Sequence, residues 1–192
     1  MSRKKTILDL YKMKETGEKA AWMVIYDACF AAYAEEAGMD MILCGDSVGM
    51  IVYGFQGTVP VTMDVSIAHT QAVRRGAPNT YLIGDMPFGS YHASCEDAVR
   101  NALRFYKEAD VDAIKLEGGV RVADKIKAIT DAGMVVFGHI GLTPQSSAAM
   151  GGFKVQGKDT STAKAVIEDA IAVYKAGARC LLLEGVPEEV CA

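Results

Sequence analysis

Four acidic residues close or follow short apolar runs along the chain. The run at 41–44 precedes Asp46, and later runs end in Asp85, Glu117 and Glu184. In α/β proteins with a parallel sheet, the carboxyl ends of the strands lie on one side of the molecule, where ligands bind. Four carboxylates gathered there would repel one another unless a positive charge lay among them. The pattern therefore predicts a divalent cation at this end of the sheet.

The side-chain types indicate which cation this would be. Carboxylate oxygens without a histidine or cysteine pair favour Mg²⁺ or Mn²⁺ over zinc. Any one of the acids has a structural explanation as well, because an acid after a strand stabilises the N-terminus of the following helix. Their recurrence at equivalent positions favours a shared site.

Lys115 is two residues before Glu117 on the same predicted strand, so both side chains point to the same side. A lysine inside a parallel barrel costs free energy unless it meets an anion. Two partners remain open: the carboxylate of a bound substrate, or Glu117 in a structural ion pair.

Ser47 and His139 raise a second chemistry, because residues 45–49 match the G-x-S-x-G motif of α/β-hydrolases. That motif requires a helix directly after the serine. The following residues are rich in glycine and β-branched side chains, so we expect a long loop or small ribbon over 48–60 and no hydrolase. His139 ends an apolar run and has three explanations: an acid, a substrate contact or a hydrogen-bonded core residue. Spacing alone favours the last.

Alternating apolar runs and amphipathic stretches must position these residues. Ala-Gly pairs separate helix from strand at 37–38, 132–133 and 176–177, where glycine supplies a left-handed cap. Thr62 and Ser94 have the spacing of helix N-caps. The glycine-rich segment 142–160 is long enough to predict a functional loop. Six strand-then-helix units imply a parallel sheet, with strands predicted at 22–26, 41–44, 81–84, 113–116, 134–137 and 180–183.

Size and composition favour one domain over residues 1–192, because 192 residues that are 51% hydrophobic can bury one sizeable core. The net charge of −4 and the absence of a basic run argue against nucleic acid or an anionic membrane as partner. No apolar stretch has the roughly 20 residues that span a bilayer. Five cysteines without C-x-x-C spacing predict a reducing, cytoplasmic location without disulfides.

Several stretches carry a family resemblance: GDSVGM at 45–50, TVPVT at 58–62, His69 with AVRRGA at 72–77, DMPFGSY at 85–91, KLEGG at 115–119, GHIGLTPQ at 138–145, GGFKVQG at 151–157 and Leu183-Glu184 before Val186-Pro187. With them the chain resembles the ketopantoate hydroxymethyltransferase family over essentially its whole length.

The resemblance implies a fold, a reaction and partners. The family has a phosphoenolpyruvate-mutase-like, TIM-type (β/α) barrel, uses Mg²⁺ and forms cytoplasmic homo-oligomers, as decamers. It transfers a hydroxymethyl group from the co-substrate 5,10-methylenetetrahydrofolate to the oxoacid 3-methyl-2-oxobutanoate. The product, 2-dehydropantoate, leads to pantothenate and coenzyme A.

The resemblance also implies residue roles. Metal binding falls to Asp46, Asp85 and Glu117. Contacts to the oxoacid fall to Ser47 and Lys115, with Asp46 and Asp85 also close to it. Glu184 is implied as the catalytic base that removes the C3 proton, and His139 is a further candidate.

The chain departs from the family in length, because an eight-unit barrel typically needs about 250 residues. We expect a C-terminally truncated α/β barrel with about six of the eight units. Either it is a fragment of a longer product, which we favour, or another chain covers the gap. Open apolar edges on the first and sixth strands predict low stability for the chain alone. Two other functions stay open: another Mg²⁺-dependent oxoacid lyase of the superfamily, and a non-catalytic remnant.

Overall fold

Six parallel strands form one sheet in chain order in the computed structural model, which describes residues 3–191. Every neighbouring pair is parallel. This arrangement confirms the predicted α/β class and the predicted series of βα units. The strands are β1 (Trp22–Val24), β2 (Met41–Cys44), β3 (Tyr81–Asp85), β4 (Ala113–Glu117), β5 (Val136–Gly141) and β6 (Cys180–Glu184).

Helices connect the strands and cover the outer face of the sheet as in part of a TIM-type barrel. Among residues 3–191, no helix combines the length and apolar character needed to cross a membrane. The helices are α1 (Ile7–Thr16), α2 (Ala28–Glu36), α3 (Val48–Ile51), α4 (Met63–Gly76), α5 (Cys95–Ala109), α6 (Ala123–Asp131), α7 (Ser147–Met150), α8 (Thr160–Lys175) and α9 (Glu188–Cys191), with 3₁₀ turns at Val120–Val122 and Pro144–Ser146.

Side-chain caps set where the longer helices begin. The hydroxyl of Thr62 accepts from the backbone N–H of Val65, and that of Ser94 accepts from Asp97, which confirms both predicted caps. Helix α8 begins at Thr160, because the carboxylate of Asp159 accepts the backbone N–H groups of Ser161 and Thr162 in its first turn.

The segment after Ser47 differs from the expected loop or ribbon. The chain turns directly into α3, whose first bonds run from the N–H groups of Met50 and Ile51 to the carbonyl of Ser47. Gly49 is needed here for close packing, since a Cβ would lie 2.5 Å from a methyl group of Val61. Gly49 is therefore present because of close packing and not because the backbone is irregular. The prediction of a loop or ribbon was wrong over α3.

Strand β5 lies further along the chain than predicted. It begins at Val136 and continues to Gly141, so His139 lies inside the strand and does not end it. Parallel pairing with β6 extends the strand, and Gly141 is in register with Glu184. The apolar pattern could not show this, because residues 138–141 include two glycines and a histidine.

The core divides between the two faces of the sheet. The larger cluster lies between strands and outer helices, with Ile42, Leu82 and Phe105 fully buried. On the inner face, Leu10 and Met13 of α1 pack against the first inward residues of the strands. Helix α1 thus covers the amino ends of the strands, and the carboxyl ends remain available for a site.

Strands β1 and β6 each pair on one side only within the described part of the chain, as the predicted open edges require. Met23 and Val24 in β1, and Leu181 and Leu183 in β6, are exposed apolar residues.

Candidate active site at the carboxyl ends of the strands

One cavity of about 450 Å³ lies at the carboxyl ends of the strands. Every site residue predicted from the sequence lines it: Asp46, Ser47, Asp85, Lys115, Glu117, His139 and Glu184. The structure therefore brings all seven together.

The two-residue period of the strands explains this convergence. Asp85 shares the inward face of β3 with Tyr81, and Lys115 and Glu117 share that of β4 with Ala113. Apolar side chains fill the inward positions at the strand starts, and charged side chains take the inward positions at their ends. Asp46 joins from the turn after β2.

Lys115 is the positive charge among the acids. Its Nζ donates to Asp85 Oδ2 at 2.7 Å and to Glu117 Oε1 at 3.1 Å, and its side chain is 4% exposed. Burial alone would lower the pKa of Lys115, but the carboxylates of Asp85, Glu117 and Asp46 raise it well above its usual value. Lys115 therefore carries a positive charge in the site and pairs with Glu117, one of the two partners that the sequence left open.

Asp46 and Asp85 are neighbours across the strand ends. The backbone N–H of Asp46 donates to Asp85 Oδ2 at 2.9 Å. Burial raises the pKa of both carboxyl groups in spite of the nearby Lys115, and Glu117 adds to the rise. The second oxygen of Asp85, Oδ1, is buried and has no hydrogen-bond partner among the described residues. A buried carboxylate oxygen in this state provides a free electron pair for a ligand.

His139 lies between two carboxylates. Its Nδ1 is 3.5 Å from Glu117 Oε1, and its Nε2 is 3.2 Å from Glu184 Oε2. Burial opposes a charge on the ring, but the two carboxylates raise the pKa of His139 above its usual value. The side chain of Glu184, which lines the cavity, is 45% exposed, whereas that of Glu117 is fully buried. A carboxylate that lies beside a histidine and lines the cavity suits proton transfer.

Ser47 pairs with a tyrosine. Its Oγ lies 2.8 Å from the hydroxyl of Tyr26, while both ring nitrogens of His139 face carboxylates. A helix does follow the serine, but the serine and histidine do not form the pair that a hydrolase needs. The expectation against a serine hydrolase therefore agrees with the geometry, although its helix argument was wrong.

Gln145 and Tyr91 are buried polar residues of the site that the sequence reasoning did not single out. Gln145 Nε2 donates to Asp46 Oδ2 at 2.8 Å, and its backbone N–H donates to Glu117 Oε2 at 3.0 Å. The hydroxyl of Tyr91 donates to Gln145 Oε1 at 2.6 Å. The available signal was the position of Gln145 at the start of the long segment after β5, but an uncharged amide gives no catalytic pattern by itself.

A carboxylate suits a metal ion best when one of its oxygens accepts no hydrogen bond from the protein. Within residues 3–191, no group of three or more histidine, cysteine, aspartate or glutamate side chains is already arranged to hold a metal ion. Both oxygens of Glu117 already accept hydrogen bonds, from Lys115 and Gln145. Asp85 has a free buried oxygen beside Asp46. Two carboxylates fit Mg²⁺, which is usually bound through one or two of them together with water and substrate oxygens.

Comparison with known proteins gives a family. The family model for ketopantoate hydroxymethyltransferase matches residues 4–192. A 3-methyl-2-oxobutanoate hydroxymethyltransferase of Alkaliphilus metalliredigens is 64% identical over 190 residues, which cover 99% of this chain and 67% of the relative. The enzyme of that name from Bacillus subtilis is 53% identical over 188 residues, 98% of this chain and 68% of the relative. The chain thus spans about two thirds of the length of the curated relatives it matches.

Solved structures with the same fold are more distant in sequence. A phosphonopyruvate hydrolase in complex with oxalate and Mg²⁺ matches with a TM-score of 0.70 at 17% identity, over 94% of this chain and 64% of that one. A 2,3-dimethylmalate lyase of the PEP mutase/isocitrate lyase superfamily matches with a TM-score of 0.66 at 20% sequence identity, over 93% of this chain and 62% of that one. These likenesses support the barrel fold, and the extent of the family match supports more: the chain belongs to the ketopantoate hydroxymethyltransferase family.

Proposed function

We propose that this chain carries the chemistry that transfers a hydroxymethyl group from 5,10-methylenetetrahydrofolate to 3-methyl-2-oxobutanoate, giving 2-dehydropantoate for pantothenate and coenzyme A synthesis. Membership of the family supports the reaction. The observation that carries the proposal is the convergence of Lys115, three buried carboxylates and the accessible Glu184 on one cavity.

The lining of the cavity suits an oxoacid with a short branched chain. Its charged residues lie at or just after the carboxyl ends of several strands, and Trp22, Val24, Leu43 and Leu182 add apolar surface to the same cavity. An α-oxoacid has an anionic end and an apolar end, so both parts of the lining have a matching group on this substrate.

Asp46 and Asp85 are the residues that would hold Mg²⁺, with Glu117 beside them as the third predicted ligand. When bound, Mg²⁺ supplies a Lewis acid that polarises the oxygens of the oxoacid. Glu117 also orders the residues around the site, because it accepts hydrogen bonds from the ammonium group of Lys115 and from the backbone N–H of Gln145.

Proton removal from C3 of the oxoacid falls to Glu184. Its carboxylate lines the cavity and lies 3.2 Å from His139 Nε2, so it can accept the proton while the C–H electron pair passes to the enolate. Lys115 stabilises the negative charge that develops on the oxygen side. The enolate carbon then forms the new C–C bond to the methylene carbon of the folate. The two bonds from that carbon to folate nitrogens break, and water supplies the hydroxyl group, so the products are 2-dehydropantoate and tetrahydrofolate. Ser47, oriented by Tyr26, contributes a further hydrogen bond to the oxoacid.

Deuterium exchange tests the proposal without requiring the folate. We expect the protein with Mg²⁺ in D₂O to introduce deuterium at C3 of 3-methyl-2-oxobutanoate. Glu184→Gln should slow this exchange by about 10²- to 10⁴-fold, the usual contribution of a positioned base. Glu189→Gln is the matched control, because Glu189 is an exposed acid in α9 outside the cavity lining, and it should exchange at the wild-type rate.

The outcomes separate the alternatives. Folded protein without exchange would refute the proposal and favour a non-catalytic remnant. Exchange without folate-dependent formation of 2-dehydropantoate would favour another oxoacid lyase. Exchange that is equally fast in Glu184→Gln would exclude Glu184 as the base.

A further inference from the structure

Gln145 joins the ends of several strands through one residue. It lies in the 3₁₀ turn directly after β5 and is 3% exposed. Its four hydrogen bonds, of 2.6–3.0 Å, reach the side chains of Asp46, Glu117 and Tyr91 and the backbone carbonyl of Met86. The turn after β5 is thereby attached to the ends of β2, β3 and β4.

The orientation of the Gln145 amide is determined by its partners. Nε2 faces two acceptors, Asp46 Oδ2 at 2.8 Å and the carbonyl of Met86 at 2.9 Å, so each of its two hydrogens has a partner. Oε1 faces the hydroxyl of Tyr91. A flipped amide would place its oxygen against a carboxylate and a carbonyl, so only one orientation is compatible with this site.

The bond to Asp46 has a consequence for the carboxylate. One oxygen of Asp46 is held by a donor that cannot lose or change its charge, and the backbone N–H of the same residue is held by Asp85. The Asp46 side chain therefore cannot rotate freely about its last bond. A carboxylate fixed in this way loses less conformational entropy when its other oxygen meets a cation.

We propose that Gln145 is a positioning residue for the candidate cation site: its amide, oriented by Tyr91, holds the Asp46 carboxylate in the orientation that receives the ion. This inference rests on the proposed function, because it assumes that Asp46 and Asp85 hold the metal. In this proposal the turn after β5 contributes to metal binding through Gln145 although it supplies no metal ligand.

The test measures Mn²⁺ binding to the metal-free protein by electron paramagnetic resonance, with no substrate present. Gln145→Met keeps the volume and removes the donors. We expect it to weaken Mn²⁺ binding by about 10- to 100-fold, as removal of a residue that orients a metal ligand does. Gln156→Met is the matched control. Among residues 3–191 the side-chain amide of Gln156 makes one hydrogen bond, to the exposed carbonyl of Lys154, and the affinity of this variant should equal that of the wild type.

A second variant covers the case in which Gln145→Met does not fold. Tyr91→Phe keeps the buried ring and removes the hydroxyl that orients the amide. The hydroxyl also accepts the backbone N–H of Glu117 at 3.2 Å, and that bond is lost as well. We expect a loss of Mn²⁺ affinity of about threefold to tenfold, the effect of losing one ordinary hydrogen bond to the Gln145 amide. Thermal unfolding of each metal-free variant shows whether the protein is folded at the temperature of the binding measurement.

The results distinguish this inference from the proposed function. If folded Gln145→Met and Tyr91→Phe bind Mn²⁺ as tightly as the wild type and only melt at lower temperature, Gln145 has a packing role and the inference is wrong while the proposed function stands. If the wild type binds no Mn²⁺, both are wrong.

Discussion

Replacing Lys115 with methionine tests the electrostatic arrangement of the site in the metal-free protein. Methionine keeps most of the side-chain volume and removes the charge. The Lys115 Nζ bonds to Asp85 and Glu117 would be lost, and both carboxylates would stay buried beside Asp46 without a counter-charge. Removing one partner of a buried ion pair costs about 3–5 kcal/mol. We expect the free energy of unfolding at pH 7 to fall by about this amount.

Protonation limits this loss and gives it a pH dependence. A carboxyl group with an ordinary pKa near 4 takes up a proton at pH 7 at a cost of about 4 kcal/mol. This cost is comparable to that of keeping the buried carboxylates charged without Lys115, so protonation can replace part of the lost neutralisation. In the variant, the folded protein would hold its acids with raised pKa values, so it binds more protons than the unfolded chain. Its stability therefore rises as the pH falls. The difference in the free energy of unfolding between wild type and Lys115→Met should be larger at pH 8 than at pH 5.

The assay is urea unfolding of metal-free wild type and variant at several pH values. Lys127→Met is the matched control, because Lys127 pairs with Asp131 on the exposed face of α6, where both side chains are about two-thirds exposed. Such a surface pair contributes about 0.5 kcal/mol or less. A loss below about 1 kcal/mol for Lys115→Met, or a deficit that does not change between pH 5 and pH 8, would refute the argument that Lys115 neutralises the buried acids.

Two further predictions concern packing and protonation. Gly138→Ala should destabilise the fold by about 1–3 kcal/mol in urea unfolding, because the new Cβ would lie 2.2 Å from a methyl group of Val173, whereas Gly57→Ala, in open space, should have almost no effect. In an NMR titration, His139 should show a pKa above its ordinary value of about 6.5, and Glu184→Gln should lower this pKa, because one of the two carboxylates that favour the charged ring is lost. The stabilisation from charged His139 is present below about pH 6.5 and is lost as the pH rises through the raised pKa. An unchanged His139 pKa in Glu184→Gln would show that their contact at 3.2 Å does not persist in solution.

The architecture followed from local patterns in the chain. Apolar runs that end in acids, Ala-Gly pairs after helices and the caps at Thr62 and Ser94 are each set by interactions within a few residues. Where tertiary contacts overrode these local rules, the predictions were wrong. Pairing with β6 places His139 inside a strand, and the close approach of Val61 accounts for a glycine at position 49 within a helix.

The site divides in the same way. The sequence by itself determined which residues reach the cavity, because period-two alternation on parallel strands places Asp85, Lys115, Glu117 and Glu184 at the same end of one face. Only the tertiary structure decided how these groups neutralise and orient one another. That Lys115 bridges two acids, and that an amide 99 positions along the chain from Asp46 holds its carboxylate, depends on distances between separate strands, which no local pattern encodes.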